Sequence, residues 1–166
     1  MYKTVVLDLD GTLLNTLTDL ADAGNRLCRK YGWPTHERQA YRYFVGNGIP
    51  KLVERLAPAD QRTPAVLEAA LADFKRDYGQ HLRDTTAPYP GIPEMLAKLK
   101  ANGVQLAVFS NKADALAKEV VKDYFGTQYF TIVRGQMTGV APKPAAEGTN
   151  ALLQALHADP ASTLYV

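Results

Sequence analysis

Short apolar runs rich in β-branched residues alternate along this chain with segments of helical periodicity. The runs lie at four places: Thr4 to Leu9, Val104 to Phe109, Phe130 to Val133 and Thr163 to Val166. β-Branched and aromatic residues favour strands, and strands that alternate with helices usually form a parallel sheet. We therefore predict an α/β fold in which a central parallel sheet carries helices on both faces.

The pattern changes between the first two predicted strands, where helical segments follow one another without a strand. These segments are Thr18–Tyr31, His36–Tyr43, Gly48–Leu56 and Pro64–Leu82. A proline-rich turn then leads to another predicted helix, Pro93–Ala101, which Asn102 and Gly103 end. We predict a sheet-containing domain formed by residues 1–14 and 88–166, and a helical domain inserted between them at residues 15–87.

Composition narrows the class of protein. The chain has 166 residues, 46% of them hydrophobic, which is enough for a folded, soluble protein with a real core. A net charge of +2 with scattered lysines and arginines gives no reason to expect nucleic acid or an anionic membrane as a partner. The single cysteine, Cys28, and the lack of a long apolar run or signal pattern predict a cytoplasmic setting.

Two carboxylates end the first predicted strand. Asp8 and Asp10 are two residues apart, so they project to the same side of a strand and lie close together. Such a pair favours a cation or a reacting proton between the carboxylates, and Mg²⁺ is a hard ion that prefers oxygen ligands. The alternative is an ordinary turn at Asp10–Gly11 with Asp8 on the surface.

Polar residues also follow two later strands. Ser110 and Asn111 come directly after the second strand, and Lys143 lies between two prolines in a loop after the third. Ligands bind at the carboxyl ends of the strands in open α/β sheets, and a lysine there can neutralise a phosphate. Without that context, Ser110 would be read as a helix cap and Lys143 as a solvated loop residue.

Taken together, these motifs resemble the haloacid dehalogenase superfamily, specifically its phosphatases. Motif one of that superfamily, Asp-x-Asp-Gly-Thr, matches Asp8–Thr12. The Ser or Thr of motif two matches Ser110, and the Lys of motif three matches Lys143. The resemblance implies a Rossmann-like core, a helical cap inserted after the first strand, and hydrolysis of a small phosphate monoester.

The resemblance also implies a role for each matched residue. Asp8 would be the nucleophile that forms an aspartyl-phosphate, and Asp10 the general acid and base. Ser110 and Lys143 would complete the catalytic set, while Asp8 and the Asp10 carbonyl would bind Mg²⁺. Substrate contacts would come from Gly11, Thr12 and Asn111.

A second resemblance lies in the predicted helical insertion. Residues 42–48 are similar to the Arg-x-x-Val-Gly-x-Gly cap signature of phosphoglycolate phosphatase-like proteins. It implies that Arg42, Gly46, Asn47 and Gly48 bind the carboxylate of a small substrate, with 2-phosphoglycolate the first candidate. The alternative for this stretch is a glycine-rich turn between helices.

The superfamily's motif four, Gly-Asp-x-x-x-Asp, has no counterpart here. It would follow the strand matched by Thr163–Val166, where the sequence stops, so we expect the C-terminal part of the core to be missing. A natural short relative is the alternative. A polypeptide ending there would bind metal weakly and have little activity. Another phosphatase, a sugar-phosphate mutase or an inactive phosphate-binding module remain alternative functions, and the oligomeric state is left open.

Overall fold

A computed structural model describes residues 2–166 of the chain. Over these residues it has six strands and seven α-helices. The strands are β1 (Thr4–Leu7), β2 (Leu14–Asn15), β3 (Ala87–Pro88), β4 (Gln105–Ala113), β5 (Phe130–Gln136) and β6 (Thr163–Tyr165). The helices are α1 (Leu17–Tyr31), α2 (Tyr41–Phe44), α3 (Ile49–Leu56), α4 (Pro64–Gln80), α5 (Ile92–Ala101), α6 (Asp114–Phe125) and α7 (Ala146–Ala155).

Contacts divide the chain into two compact units. The first, here called the sheet unit, contains the chain up to Asn15 together with Pro88–Val166, and the second, the helical unit, is Thr16–Ala87. Four strands of the sheet unit form a parallel sheet in the order β5-β4-β1-β6. The predicted α/β fold with a parallel sheet is therefore confirmed.

Both faces of the parallel sheet are buried. On one face, Val6 and Phe109 pack against Leu152 of α7 in an apolar cluster. Leu7 and Val108 are also buried, and side chains alternate along a strand, so they lie on the opposite face. Burial on both faces explains why these strands read as continuous apolar runs instead of alternating ones.

The first strand is shorter than the sequence predicts, ending at Leu7 instead of Leu9. The reason lies in the turn that follows, because the carbonyl of Leu9 accepts hydrogen bonds from the N–H groups of Thr12, Leu13 and Leu14. Those bonds close a tight turn at the strand end. Asp8 and Asp10 consequently lie beyond the last strand residue, with the N–H of Asp8 bonded to the carbonyl of Val166 at 2.8 Å and Asp10 in the turn itself.

In the helical unit, the predicted helix His36–Tyr43 is confirmed only in part, because helical structure begins two residues later than predicted. The structure has a short 3₁₀ helix at Arg38–Ala40 followed by the single turn of α2. The side chain of Asn25 binds both the N–H and the carbonyl of His36, at 2.9 Å each. A helix beginning at His36 would need that carbonyl for its own ladder, so this contact favours an extended backbone there.

One buried carboxylate, that of Asp19, connects the two ends of the helical unit by hydrogen bonds. Asp19 lies in the first turn of α1 and is only 2% exposed. It accepts four hydrogen bonds of 2.5 to 2.9 Å, from the backbone N–H and the hydroxyl of both Thr85 and Thr86. A buried carboxylate needs such partners, and here they tie the start of the unit to its end.

We predict that Asp19→Ala destabilises the protein by about 3 kcal/mol, because buried donors lose a charged acceptor. Urea unfolding measures the change. Asp22→Ala, an exposed position on the same helix, is the matched control and should change the free energy of unfolding by less than about 0.5 kcal/mol. Equal effects of the two substitutions would contradict this account of Asp19.

The sequence prediction of a cytoplasmic setting cited Cys28 and the lack of a long apolar run, and the structure describes both features. Cys28 is fully buried, and burial raises the pKa of its thiol to about 11, so it is not a reactive thiolate near neutral pH. Among the described helices, none is long and apolar enough to cross a membrane.

Candidate active site

The Asp8 carboxylate lies just past the end of β1 and is one-third exposed, with a side-chain exposure of 31%. Its Oδ1 atom accepts a hydrogen bond of 2.7 Å from the N–H of Leu9 and lies 2.9 Å from Nζ of Lys143. Within residues 2–166, its Oδ2 atom has no hydrogen-bond partner. One oxygen is thus held in place while the other remains available to an incoming group.

Lys143 is tightly held, so its interpretation as a solvated loop residue is wrong. Its ammonium group donates to the carbonyl of Phe109 at 2.8 Å and lies 5.6 Å from the ring centroids of Phe109 and Tyr165. Aromatic faces attract a cation at such distances. These contacts, with Asp8, leave the Lys143 side chain 16% exposed and aimed at the strand end.

The loop that carries Lys143 is fixed by Asn111. The backbone N–H of Lys143 donates to Oδ1 of Asn111 at 2.8 Å, and Nδ2 of Asn111 donates to the Lys143 carbonyl at 3.2 Å. The amide therefore binds both polar groups of a single residue. This arrangement gives Asn111 a positioning role, while its predicted substrate contact stays a prediction.

Asp10 forms an ion pair with a second lysine, Lys112. Nζ of Lys112 lies 3.2 Å from Oδ1 and 3.5 Å from Oδ2 of Asp10. The Lys112 side chain is 3% exposed, whereas that of Asp10 is 21% exposed. The two carboxylates of the first motif are thus paired with two different lysines, on different segments of the sheet unit.

Ser110 is a strand residue, so its interpretation as a helix cap is wrong. β4 continues through Ser110 to Ala113, and Ala113 is the residue that precedes α6. The Ser110 side chain is buried, and its hydroxyl accepts the N–H of Lys112 at 3.2 Å. The second predicted strand is therefore longer than its apolar run, because its polar end is buried as well.

A glycine lets β5 approach this end of β4 closely. A Cβ on Gly135 would lie 2.6 Å from Cα of Asp114 and would also clash with the carbonyl oxygen of Lys112. The N–H of Gly135 donates to the Asp114 carboxylate at 2.9 Å. Gly135 therefore holds the backbone that carries Ser110, Asn111 and Lys112 against the neighbouring strand.

Gly11 and Thr12 form the turn between the carboxylates and β2. Gly11 has a φ of 84°, a left-handed conformation that favours glycine. Its N–H donates to the Leu14 carbonyl, and the N–H of Thr12 donates to the Leu9 carbonyl. The N–H groups of Gly11 and Thr12 therefore already have partners within the turn. The predicted contacts of these two residues with substrate stay predictions.

The remaining predicted binding residues lie in the helical unit. Gly46 and Gly48 have φ values of 102° and 84°, and Gly48 directly precedes α3. Arg42 and Asn47 are exposed. Nη1 of Arg55 donates to the carbonyl of Phe44 at 2.8 Å, which anchors the start of this loop on α3. The side chains of Arg42 and Asn47 are thus exposed on the surface of the helical unit.

The oxygen atoms at the strand end fit a magnesium ion. Over residues 2–166, no group of three or more His, Cys, Asp or Glu side chains is placed to hold a metal. Mg²⁺ does not require such a cage, because it binds through one or two carboxylates and takes its other ligands from water and substrate phosphate. Asp8 and the backbone carbonyl of Asp10 are donors of this kind.

Sequence reasoning missed two members of this cluster, Lys112 and Tyr165. Tyr165 lies on β6, and its hydroxyl donates to the carbonyl of Phe109 at 3.4 Å. Partial burial raises the pKa of that hydroxyl, so it remains protonated and able to donate. A signal for Lys112 was present in the sequence, because it is two residues from Ser110 and so projects to the same side of an extended strand.

The parallel α/β sheet, with the Asp8–Thr12 motif directly after its first strand, agrees with the family resemblance seen in the sequence. The chain belongs to the haloacid dehalogenase-like hydrolase family, whose model matches residues 5–166.

Curated relatives and solved structures agree with this assignment. The chain is 33% identical over 145 residues to phosphoglycolate phosphatase of Thiobacillus denitrificans, covering 86% of this chain and 64% of the relative. It is 36% identical over 134 residues to the enzyme of the same name from Nitrosospira multiformis, covering 79% and 59%. A predicted phosphoglycolate phosphatase from Haemophilus somnus has a similar structure, with a TM-score of 0.87 and 25% identity, covering 99% of this chain and 76% of that one.

The chain spans about three-fifths of the length of the two curated relatives, 64% and 59%. Its family and fold are therefore established by the comparisons.

Proposed function

We propose that this protein is a Mg²⁺-dependent phosphatase that hydrolyses a small phosphate monoester through an aspartyl-phosphate on Asp8, with 2-phosphoglycolate as the first candidate substrate. The observation that carries the proposal is the asymmetry of the Asp8 carboxylate. Leu9 and Lys143 hold its Oδ1 atom, and Oδ2 has no partner in the described part of the chain. A nucleophile must be both oriented and accessible, and this carboxylate is both.

In the first step, Oδ2 of Asp8 attacks phosphorus and the bond from phosphorus to the ester oxygen breaks. Asp10, two residues along the turn, gives a proton to the departing alkoxide. In the second step a water molecule attacks the phosphorus of the aspartyl-phosphate, and Asp10 takes a proton from that water. The bond between phosphorus and Asp8 then breaks, which releases inorganic phosphate, returns Asp8 as a carboxylate and leaves Asp10 protonated for the next cycle.

Phosphoryl transfer is catalysed mainly by positioning the reactants and neutralising charge on the phosphoryl oxygens. Lys143 supplies a positive charge that its contacts to Phe109 and Asp8 hold beside the nucleophile. Ser110 and Asn111 are proposed to contribute at the same strand end. Mg²⁺, held by Asp8 and the Asp10 carbonyl, would neutralise phosphate charge when bound.

The choice of substrate rests on the helical unit and on the names of the relatives. The curated relatives from Thiobacillus denitrificans and Nitrosospira multiformis are both named phosphoglycolate phosphatase. We propose that the helical unit is the cap, and that Arg42 with the loop at Gly46, Asn47 and Gly48 binds the substrate carboxylate. Arginine and backbone N–H groups are suitable partners for a carboxylate.

The substrate proposal predicts a preference for 2-phosphoglycolate over ethyl phosphate, which differs mainly in lacking the carboxylate. We expect kcat/KM to be at least about 100-fold higher for 2-phosphoglycolate, since a site built for a polar group rejects the analogue without it. Arg42→Ala should reduce that ratio, whereas Arg38→Ala, an exposed arginine on the preceding 3₁₀ helix, is the matched control. Phosphate release in the presence of Mg²⁺ is the measurement.

Other outcomes of this measurement would favour the alternatives. Equal rates on the two esters would contradict 2-phosphoglycolate as the substrate while leaving phosphatase activity intact. Conversion of glucose 1-phosphate into glucose 6-phosphate would identify a mutase. Binding of fluoroberyllate, a phosphoryl mimic, without release of phosphate from any ester would identify a non-catalytic phosphate-binding module.

A further inference from the structure

The mechanism above gives no role to Lys112, although Lys112 carries a buried charge at the site. Its side chain is 3% exposed, and its Nζ atom lies 3.2 and 3.5 Å from the two oxygens of Asp10. Removing an ammonium group from water is costly, and a methionine of similar length would fill the same space without that cost. The burial of this charge therefore indicates that Lys112 acts on Asp10, the carboxylate beside it.

The backbone of Lys112 is fixed independently of the ion pair. Its N–H donates to the Ser110 hydroxyl at 3.2 Å, and its carbonyl packs against Gly135 too closely for any side chain to intervene. The ammonium thus reaches Asp10, which lies in the turn after β1, from a fixed position at the end of β4.

Asp10 needs such support more than Asp8 does. Asp8 is oriented by the N–H of Leu9 and by Lys143, whereas the hydrogen bonds that fix the Asp10 carboxylate in the described residues come from Lys112. A proton donor must reach the leaving oxygen at hydrogen-bond distance, and a displacement of about 1 Å can cost about 100-fold in rate.

We propose that Lys112 is a positioning residue for the general acid and base, holding the Asp10 carboxyl group where it meets the leaving oxygen and the attacking water. The inference rests on the proposed phosphatase function. It assigns separate duties to the two lysines: Lys143 serves Asp8 and the phosphoryl group, and Lys112 serves Asp10.

Esters with different leaving groups distinguish the role of Lys112 from that of Lys143. An alkoxide needs a proton as it departs, whereas p-nitrophenolate departs without one, so formation of the aspartyl-phosphate from p-nitrophenyl phosphate does not depend on Asp10. We expect Lys112→Met to slow single-turnover phosphoryl transfer from 2-phosphoglycolate by about 30-fold. The same transfer from p-nitrophenyl phosphate should change by less than about 3-fold, with little change in KM for either ester.

Two variants serve as controls. Lys112→Arg keeps a cation within reach of Asp10 and should recover most of the lost rate on 2-phosphoglycolate. Lys118→Met removes a lysine of α6 that pairs with Asp114 at the surface, and should leave both rates unchanged. Should Lys112→Met fail to fold, Lys112→Gln provides the same comparison with a neutral polar side chain.

The outcomes distinguish this inference from the function on which it rests. Equal slowing on both esters would mean that Lys112 acts on the phosphoryl group or on the fold, and would overturn the inference alone. Unchanged rates for folded Lys112→Met and Lys112→Gln would overturn it too. A full-length wild-type protein, including any residues that follow Val166, that transfers no phosphoryl group from either ester with Mg²⁺ present would overturn the proposed function and this inference with it.

Discussion

Replacing Asp8 with asparagine is expected to lower the rate of phosphate release by at least about 1,000-fold, because the substitution removes the nucleophile. The amide keeps an oxygen that can accept the N–H of Leu9, the contact that Oδ1 makes at 2.7 Å. The neutral side chain cannot provide the second, negatively charged oxygen for attack on phosphorus. Steady-state release of phosphate from 2-phosphoglycolate, with Mg²⁺ present, measures the loss.

The loss must be separated from unfolding. Asp8→Asn removes the negative charge that pairs with Lys143, but that lysine keeps the Phe109 carbonyl at 2.8 Å as a partner, so the fold should persist. Asp22→Asn, at an exposed position, is the matched control and should retain full activity. Substantial turnover by a correctly folded Asp8→Asn protein would show that another group attacks phosphorus.

Asp10→Asn is expected to have the second largest effect, about 100- to 10,000-fold on the hydrolysis of 2-phosphoglycolate, the range typical of a lost general acid and base. The substitution should act on two steps in different ways. Departure of an alkoxide and attack of water both slow down, while transfer from p-nitrophenyl phosphate to Asp8 remains fast. The phosphorylated form of Asp8 should therefore accumulate with p-nitrophenyl phosphate.

Rapid-quench measurements distinguish the two steps, since a burst of p-nitrophenolate would precede slow release of phosphate. Asp10→Asn also leaves the buried Lys112 ammonium facing a neutral amide, so its stability needs a check by urea unfolding. The double variant Asp10→Asn with Lys112→Met serves as the control, because it removes both charges. If a folded Asp10→Asn protein were equally slow in both steps with both esters, the assignment of Asp10 as proton carrier would be contradicted.

Apolar periodicity predicted most of the helices and strands. The helices α1, α3, α4 and α5 agree with the predicted segments to within two residues at each end, and all four parallel strands were predicted. These elements are governed by local patterns that one sequence can show. The errors occur where a distant side chain or a buried polar segment determines the backbone, as Asn25 does at His36.

The strand ends show a second limit of sequence reasoning. β4 runs on through Ser110, Asn111 and Lys112, three polar residues that no hydrophobic pattern would include in a strand. Partners for these buried side chains come from distant parts of the chain, including Asp10 for Lys112 and the two hydrogen bonds between Asn111 and Lys143. These two residues are 32 positions apart, and a single sequence does not show that they are in contact.

The carboxylate pair was visible from the first motif, and the family resemblance gave Asp8 and Asp10 their proposed roles. What the structure added is the partner of each carboxylate. The Lys143–Asp8 pair places a predicted cation beside the predicted nucleophile, and the Lys112–Asp10 pair introduces a residue that no motif indicated.

The most direct measurement of the central proposal is the mass of the peptide that carries Asp8 after a single turnover. We propose quenching the Asp10→Asn protein with acid after mixing it with Mg²⁺ and p-nitrophenyl phosphate, with protein in excess, and digesting it for mass spectrometry. We expect one added phosphoryl group on Asp8, and none on that peptide in the Asp8→Asn/Asp10→Asn double variant. A phosphoryl group on Ser110 or elsewhere, or ester cleavage with no phosphorylated peptide at any time, would contradict the proposal.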